Sequence, residues 1–368
     1  MAHVMPRRGR SANGVDRARV LVTDLVDGRS RSAVAAVRAL AAGGYAPVVT
    51  TSAGPSPAAS SRWCAGVVPV PAGGGQGYVD AVRRALALPG CAGIEAASDG
   101  ALLALGLPGA DLVDKSTLPS RVAAAGLRSP GTVRFEDAYD LAEAAPDLDY
   151  PLVVKPVLKA GPDDQARRID SPQALLTLAA TADGASVVQR YLDGGLRAVA
   201  GVVHQGAFLA LVHQEYLRTW PVDCGVASAA VTTAPDRELE ERLATLLSDH
   251  CGVFQVQLIG DRVIDVNPRV YGSLPLAVAA GANLPAIACA ARQGRVGDLV
   301  RGRPGVRYRW LEGDLRSVWH GLRTGTTGAR AAAGALRPRS GTAHSVESLR
   351  DPAPALNRIR HLVAKSRG

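Results

Sequence analysis

Apolar positions along this chain fall into short runs whose spacing changes twice. Residues 19–23 are β-prone, residues 32–42 are an alanine-rich stretch of helical character stopped by Gly43-Gly44, and residues 46–50 form the next strand. The order then repeats, with a strand at 66–70, a helix at 78–88 and a strand near 93–96. Such β-loop-α-β units in series predict an open, Rossmann-like parallel sheet reaching to about residue 113. Its first loop, residues 24–32, contains one glycine, Gly28, and no Gly-x-Gly-x-x-Gly, so the dinucleotide fingerprint is missing.

From Asp114-Lys115-Ser116-Thr117 the pattern predicts a short helix with Thr117 as its cap, Pro119 in its first turn and Gly126 as its stop. A strand at 132–135, a helix at 137–145 and a strand at 152–155 closed by Pro156 follow. Ser171-Pro172 is a cap and first-turn pair for a helix over 173–182. Beyond residue 186 the alternation becomes that of antiparallel sheet, with strands at 187–191 and 226–233 and a hairpin of 197–203 with 207–214 around His204-Gln205-Gly206. A helix at 236–250 interrupts it, strands at 253–258 and 263–267 resume it, and helices at 276–280 and 285–293 end it. The expected class is α/β. Its expected units are a basic tail (1–18), a Rossmann-like domain (19–113), a small α+β lid with its lead-in helix (114–190), a central antiparallel domain (191–320) and a Gly, Ala, Arg and Pro-rich basic tail (321–368) with one terminal helix near 354–365.

Composition narrows the function classes. With 47% hydrophobic and 20% charged residues the chain has ordinary globular make-up. No apolar run approaches the ~20 residues needed to span a bilayer. Arg7, Arg8 and Arg10 are followed by no apolar secretory core, so a cytoplasmic protein is expected. Cys64, Cys91, Cys224, Cys251 and Cys289 are scattered and odd in number, which argues against a disulfide framework or a zinc site. The net charge of +9 sits at the ends: residues 1–19 carry +4 and residues 321–368 carry +7, leaving −2 for the 301 residues between. That body lacks the positive charge of a nucleic-acid binder, so no specific nucleic-acid partner is expected, and the basic ends are expected to be solvated.

Two features carry chemistry. Of 42 basic residues only Lys115, Lys155, Lys159 and Lys365 are lysine, and Lys115 and Lys155 stand at a helix entrance and a strand end, where a compact point charge suits phosphate oxygens. The second is a hairpin near residue 260. A three-residue loop Gly260-Asp261-Arg262 would set Gln257 opposite Asp265, Gln255 opposite Asn267 and Ile259 opposite Val263. Its apolar face would then hold Phe254, Val256, Leu258, Ile264 and Val266. On the polar face a carboxylate and an amide two residues apart can share Mg²⁺, which commonly takes one or two carboxylates plus phosphates and water. Arg269, just past Pro268, can offer those phosphates a planar fork.

These residues, Asp265-Val266-Asn267-Pro268-Arg269 with Tyr271-Gly272-Ser273 and Ala280-Gly281-Ala282-Asn283-Leu284-Pro285, resemble the C-terminal motif of ATP-grasp enzymes, particularly the carboxylate–amine ligase branch. Ser98-Asp99, Asp114-Lys115, Ala125-Gly126-Leu127, residues 150–156 and residues 188–192 resemble the earlier motifs in order, so the resemblance spans roughly residues 19–320. It implies ATP and Mg²⁺ as cofactors and small-molecule carboxylate and amine substrates joined through an acyl phosphate. A homodimer is the candidate assembly. The resemblance places Lys115 and Lys155 on the ATP phosphates and Gln189, Arg190, Tyr191 and Leu192 at the adenine. Asp265, Asn267 and Gln257 would meet the metal, Arg269 the transferring phosphoryl group, and Arg218, before Pro221, would be the second catalytic residue, on a loop beside the acyl phosphate. The chain departs from the family in having Arg190 and Gln257 where Glu is frequent, Cys224-Gly225 for Gly-Gly, and Gly161 as the one glycine of the loop after Lys155. Those departures define the alternative, a degenerate ATP-grasp protein that binds nucleotide or a partner without turnover.

Overall fold

The computed structural model describes residues 5–6, 17–25, 30–52, 56–159 and 165–365, with side chains described between 17 and 360. Arg7, Arg8, Arg10, Gly28 and Gly161, and most of segment 1–18, lie outside the described residues. The first sheet contains β1 (Met5–Pro6), β2 (Arg19–Thr23), β3 (Ala46–Thr51), β4 (Gly66–Pro69) and β5 (Cys91–Ala96) in the order β1-β4-β3-β2-β5. Strands β2 to β5 pair in parallel, as the sequence pattern predicts, and β1 lies antiparallel on β4. Helices α1 (Arg31–Ala42), α2 (Pro57–Ser60), α3 (Gln76–Leu86) and α4 (Asp99–Leu105) flank it. Strand β2 is apolar on both faces because both are covered: Val20 and Val22 join the core that includes α1, and Leu21 joins that of α3.

The second sheet is antiparallel in the order β6-β9-β7-β8, from β6 (Thr132–Phe135), β7 (Leu152–Pro156), β8 (Arg167–Ile169) and β9 (Ser186–Arg190). The lead-in helix α5 (Leu118–Ala124) starts where expected, but Thr117 forms no capping bond. Its hydroxyl donates instead to the Asp114 carbonyl at 3.3 Å, while the Asp114 carboxylate accepts from Ser116 N at 2.8 Å. Helices α6 (Ala138–Glu143) and α7 (Pro172–Ala179) cover one face of this small sheet, with Ser171 capping α7 as its sequence predicts.

The third sheet has eight strands. Strands β10 (Leu196–His204), β11 (Ala207–Trp220), β12 (Val226–Thr232), β13 (Gly252–Ile259) and β14 (Arg262–Asn267) form its antiparallel body, with α8 (Arg237–Leu246) and α5 on one face and α9 (Leu274–Ala279) and α10 (Leu284–Arg292) on the other. Helix α1 packs on α9 and α10, so a single apolar core runs from the first sheet into the third.

The C-terminal segment carries the expected terminal helix and exposed arginines (Arg323, Arg330, Arg337, Arg339 and Arg350), but it is more structured and more firmly docked than the expected tail. Strands β15 (Val300–Arg301) and β16 (Arg307–Arg309) add to β11 and β12. Helices α11 (Leu311–Thr324) and α12 (Ala329–Leu336) follow, strand β17 (Ala343–His344) pairs with β16, and α13 (Ala353–Lys365) packs against α2. The reason is a buried carboxylate. Asp351, 2% exposed, accepts from Arg38 Nε at 2.9 Å, Ser61 Oγ at 2.7 Å and Arg62 N at 2.9 Å, all in the first domain. Asp351→Ala leaves Arg38 with the backbone carbonyls of Ser345, Val346 and residue 351 but without its carboxylate, and a loss of about 3 kcal/mol is expected, read as a shift in the urea midpoint.

Candidate active site

A cavity of about 1060 Å³ lies where the three sheets meet, lined by nine basic and four acidic side chains. All eleven residues singled out in the sequence line it: Lys115, Lys155, Gln189, Arg190, Tyr191, Leu192, Arg218, Gln257, Asp265, Asn267 and Arg269.

The β13–β14 ladder sets its floor. Gln255 faces Asn267 and Gln257 faces Asp265, as the sequence reading requires, but the end of the hairpin differs. Ile259 pairs with Arg262 across a two-residue turn, Gly260-Asp261, with Gly260 at φ +60, and a bulge between Gln257 and Leu258 brings Val263 opposite Leu258. Val263 therefore enters the core in place of the expected Ile264, beside Phe254, Val256, Leu258 and Val266. Ile264, left out of the pairing, lines the cavity, and its carbonyl accepts from Lys155 Nζ at 2.8 Å. The bulge thus makes the anchor for a lysine from another sheet.

On the cavity face, Asn267 Nδ2 donates to Asp265 Oδ2 at 3.3 Å and Gln257 Nε2 donates to Tyr216 Oη at 3.1 Å, leaving the Gln257 amide oxygen available. Arg269 donates from Nη2 to Asn267 Oδ1 at 2.9 Å and from Nε to Asp99 Oδ1 at 2.5 Å. Asp99, 6% exposed at the start of α4, was quoted in the sequence only as part of a motif. Burial pushes its carboxyl pKa up, but Arg269, Lys115 and Lys159 outweigh that and hold it below the ordinary value. One backbone bond, Val270 N to Ala96 O at 3.3 Å, ties the same point to β5.

Three lysines converge on this floor. Burial drives Lys155 below its ordinary pKa, Asp265 opposes the shift and Lys115 adds to it. Lys159 is lowered by burial and then by Arg269, against Asp99 and Asp265. Lys159 thus belongs to the site; its rarity as a lysine was the only sequence signal. Four cations compressed around two carboxylates form a pocket electrostatically suited to an anion.

No family model matches the chain, and no curated protein matches it in sequence. Solved structures share its fold over about three quarters of the chain. An L-amino acid ligase from Bacillus licheniformis superposes with a TM-score of 0.55 at 19% identity, over 76% of this chain and 75% of that one. N5-carboxyaminoimidazole synthetase from Staphylococcus aureus, complexed with ADP, gives 0.57 at 17% over 77% and 79%. Phosphoribosylamine–glycine ligase from Thermotoga maritima gives 0.54 at 16% over 78% of each. The chain has the ATP-grasp fold.

The rest of the lining comes from β9, β11 and the segments that follow them. Gln189 is buried at the end of β9 and donates to Thr132 Oγ1 at 3.1 Å, Arg190 is exposed, and Arg168 lies 4.4 Å from the Tyr191 ring centroid. Loop 221–225 folds back so tightly that a Cβ on Gly225 would fall 2.0 Å from the Pro221 oxygen, which explains why glycine stands there while Cys224 is tolerated beside it. Arg218 is held by Asp314 of α11, whose other oxygen takes Arg309. Two cysteines are poor nucleophiles: burial, and then Glu95, pushes Cys289 up to about 12, and burial raises Cys224 at the cavity wall.

The donor set suits a hard cation. Asp265, Asn267 and Gln257 bring a carboxylate and two amide oxygens to one face, the Asn267 oxygen also accepting from Arg269, a set that fits a cation taking its other ligands from phosphates and water. The Asp99–Arg269 pair is the member of this site most exposed to test. Asp99→Asn should cost about 3–5 kcal/mol of stability by leaving Arg269 without its carboxylate, measured by urea unfolding without nucleotide.

Proposed function

We propose that this protein is an ATP- and Mg²⁺-dependent ligase that activates a small-molecule carboxylate as its acyl phosphate and joins it to an amine. The convergence of Lys115, Lys155, Lys159 and Arg269 on the oxygen-bearing hairpin face carries the reading, since it is a phosphate pocket with a place for the accompanying cation. The ATP-grasp fold and its likeness to ligases of amines and amino acids support it.

Lys115 and Lys155 hold the ATP phosphates, and the stretch Gln189 to Leu192 borders the adenine. Asp265, with the side-chain oxygens of Asn267 and Gln257, would hold Mg²⁺, which when bound neutralises phosphate charge. A substrate carboxylate oxygen attacks the terminal phosphorus, and the bond from that phosphorus to the bridging oxygen breaks, releasing ADP. The amine nitrogen then attacks the acyl carbon, the C–O bond to phosphate breaks, and the amine proton leaves with phosphate or solvent. Arg269, fixed by Asp99 and Asn267, faces the charge that grows during transfer, and Arg218 borders the same cavity from β11.

ATP should be cleaved to ADP and phosphate in amounts that depend on a carboxylate and rise with an amine; AMP as the stoichiometric product would overturn the mechanism. Lys155→Ala should raise the KM for ATP by about 10- to 100-fold, and Arg269→Ala should lower kcat by about 10²- to 10³-fold. Asp265→Asn should abolish turnover, whereas Gln257→Glu should lower the Mg²⁺ concentration for half-maximal activity. Nucleotide binding without cleavage across all acids and amines would support the non-catalytic alternative.

A further inference from the structure

The cavity holds a cation that forms no ion pair among the described residues. Arg31, the first residue of α1, lines it, and among the described residues its side chain donates one hydrogen bond, from Nη1 to the neutral hydroxyl of Tyr308 at 3.1 Å. That leaves four of the five N–H donors of a guanidinium unused. The group is nevertheless held in place. Its Cζ lies 3.8 Å from the Trp310 ring centroid, and the Tyr308 hydroxyl donates onward to the Gly272 carbonyl at 3.1 Å. Gly272 lets the guanidinium pack close: a Cβ there would sit 3.1–3.6 Å from three of its atoms.

The surroundings add positive charge. Arg358 lies 5.7 Å from the same ring, and Arg358 and Arg316 share the single carboxylate of Glu312, at 2.9 and 3.1 Å. Burial lowers the Arg31 pKa, Tyr308 opposes the shift and Arg358 deepens it, with Glu347 and Glu312 pulling back. A fixed, partly desolvated guanidinium with spare donors at a cavity wall is a costly arrangement until an anion meets it.

We infer that one of the two substrates carries a second anionic group, a carboxylate or phosphate that survives the reaction, and that Arg31 receives it. This rests on the ligase reading for the word substrate, but the anion site itself does not. The reacting carboxylate belongs at the phosphate floor, where Arg269 and the lysines lie. Arg31 comes instead from α1 and stacks on Trp310, and among the described residues it forms no hydrogen bond or ion pair with Asp265, Arg269 or the lysines. It therefore selects an anion at another position on the ligand. Loss of the guanidinium fork should cost about 10- to 100-fold in affinity.

The test uses the full chain, with Arg31→Gln and Arg31→Lys. ADP release is followed with butyrate or succinate as the acid, each with ethylamine or β-alanine as the amine, so that the extra carboxylate is present on the acid, the amine, both or neither. Turnover confined to pairs with an extra carboxylate, falling 10- to 100-fold in kcat/KM in Arg31→Gln, less in Arg31→Lys, with unchanged ADP affinity, is the expected result. Which member must carry the group identifies its source. Equal turnover of butyrate with ethylamine, unaffected by Arg31→Gln, overturns the inference.

If no pair releases ADP, calorimetric titration with succinate, β-alanine and inorganic phosphate decides it. Anion binding present in the wild type and lost in Arg31→Gln supports the site while counting against the ligase reading, and no difference between the two proteins overturns the site. A purely structural Arg31 would lower the Tm and the ADP affinity together and leave the preference among anions unmoved.

Discussion

The cleft hangs on the register of the β13–β14 ladder. Because side chains alternate, the pairing that puts Phe254, Val256, Leu258 and Val266 into the core must put Gln255, Gln257, Asp265 and Asn267 on the opposite face. A slip by one residue would bury a carboxylate and expose the apolar set. The penalty for burying an unpaired charge therefore specifies the polar face as firmly as the hydrophobic effect specifies the other. The bulge adjusts this plan locally: it lets Val263 fill the core and releases Ile264, whose carbonyl becomes the point where Lys155 reaches across from the lid sheet.

Buried ion pairs tie the first domain, the third sheet and the C-terminal segment together around that hairpin. Asp99 from the first domain clamps Arg269 just past β14, Asp351 from the C-terminal segment clamps Arg38 of α1, and Asp314 of α11 clamps Arg218 and Arg309. Each carboxylate is at most 6% exposed. Such pairs add little net stability over apolar packing, but breaking one is costly, so they define geometry more than they supply energy.

Much of the site was legible from residue chemistry because it concentrates on a hairpin and two strand or helix ends, where local pattern and position coincide. Lys115, Lys155, Asp265, Asn267 and Arg269 all reach the same cavity. Asp99 and Arg31 were not singled out because their meaning is relational: one is a capped helix start and the other a first-turn arginine until a distant residue meets them. Helix α11 was missed for another reason. Its buried positions are Gly313, Asp314, Ser317, Val318 and Gly321, while Leu315 and Trp319 are 46% and 63% exposed. The usual apolar-inward stripe is inverted because its inner face borders a charged cavity, to which Glu312, Arg316, Ser317, His320 and Gly321 contribute.

By itself the sequence determined the local choices: which runs are strands or helices, the Ser171 cap of α7, the two faces of the hairpin, and the lysines kept at element ends. Those follow from periodicity and capping, which act over a few residues. Only the tertiary structure decided that the basic C-terminal segment folds back onto the first domain, that the hairpin bulges at Ile264, and that Asp99 and Arg31 belong to the cleft. Each depends on a contact between residues dozens to hundreds of positions apart, and the energy of a charge is set by the partner and the solvent it meets, neither of which is written at its own position.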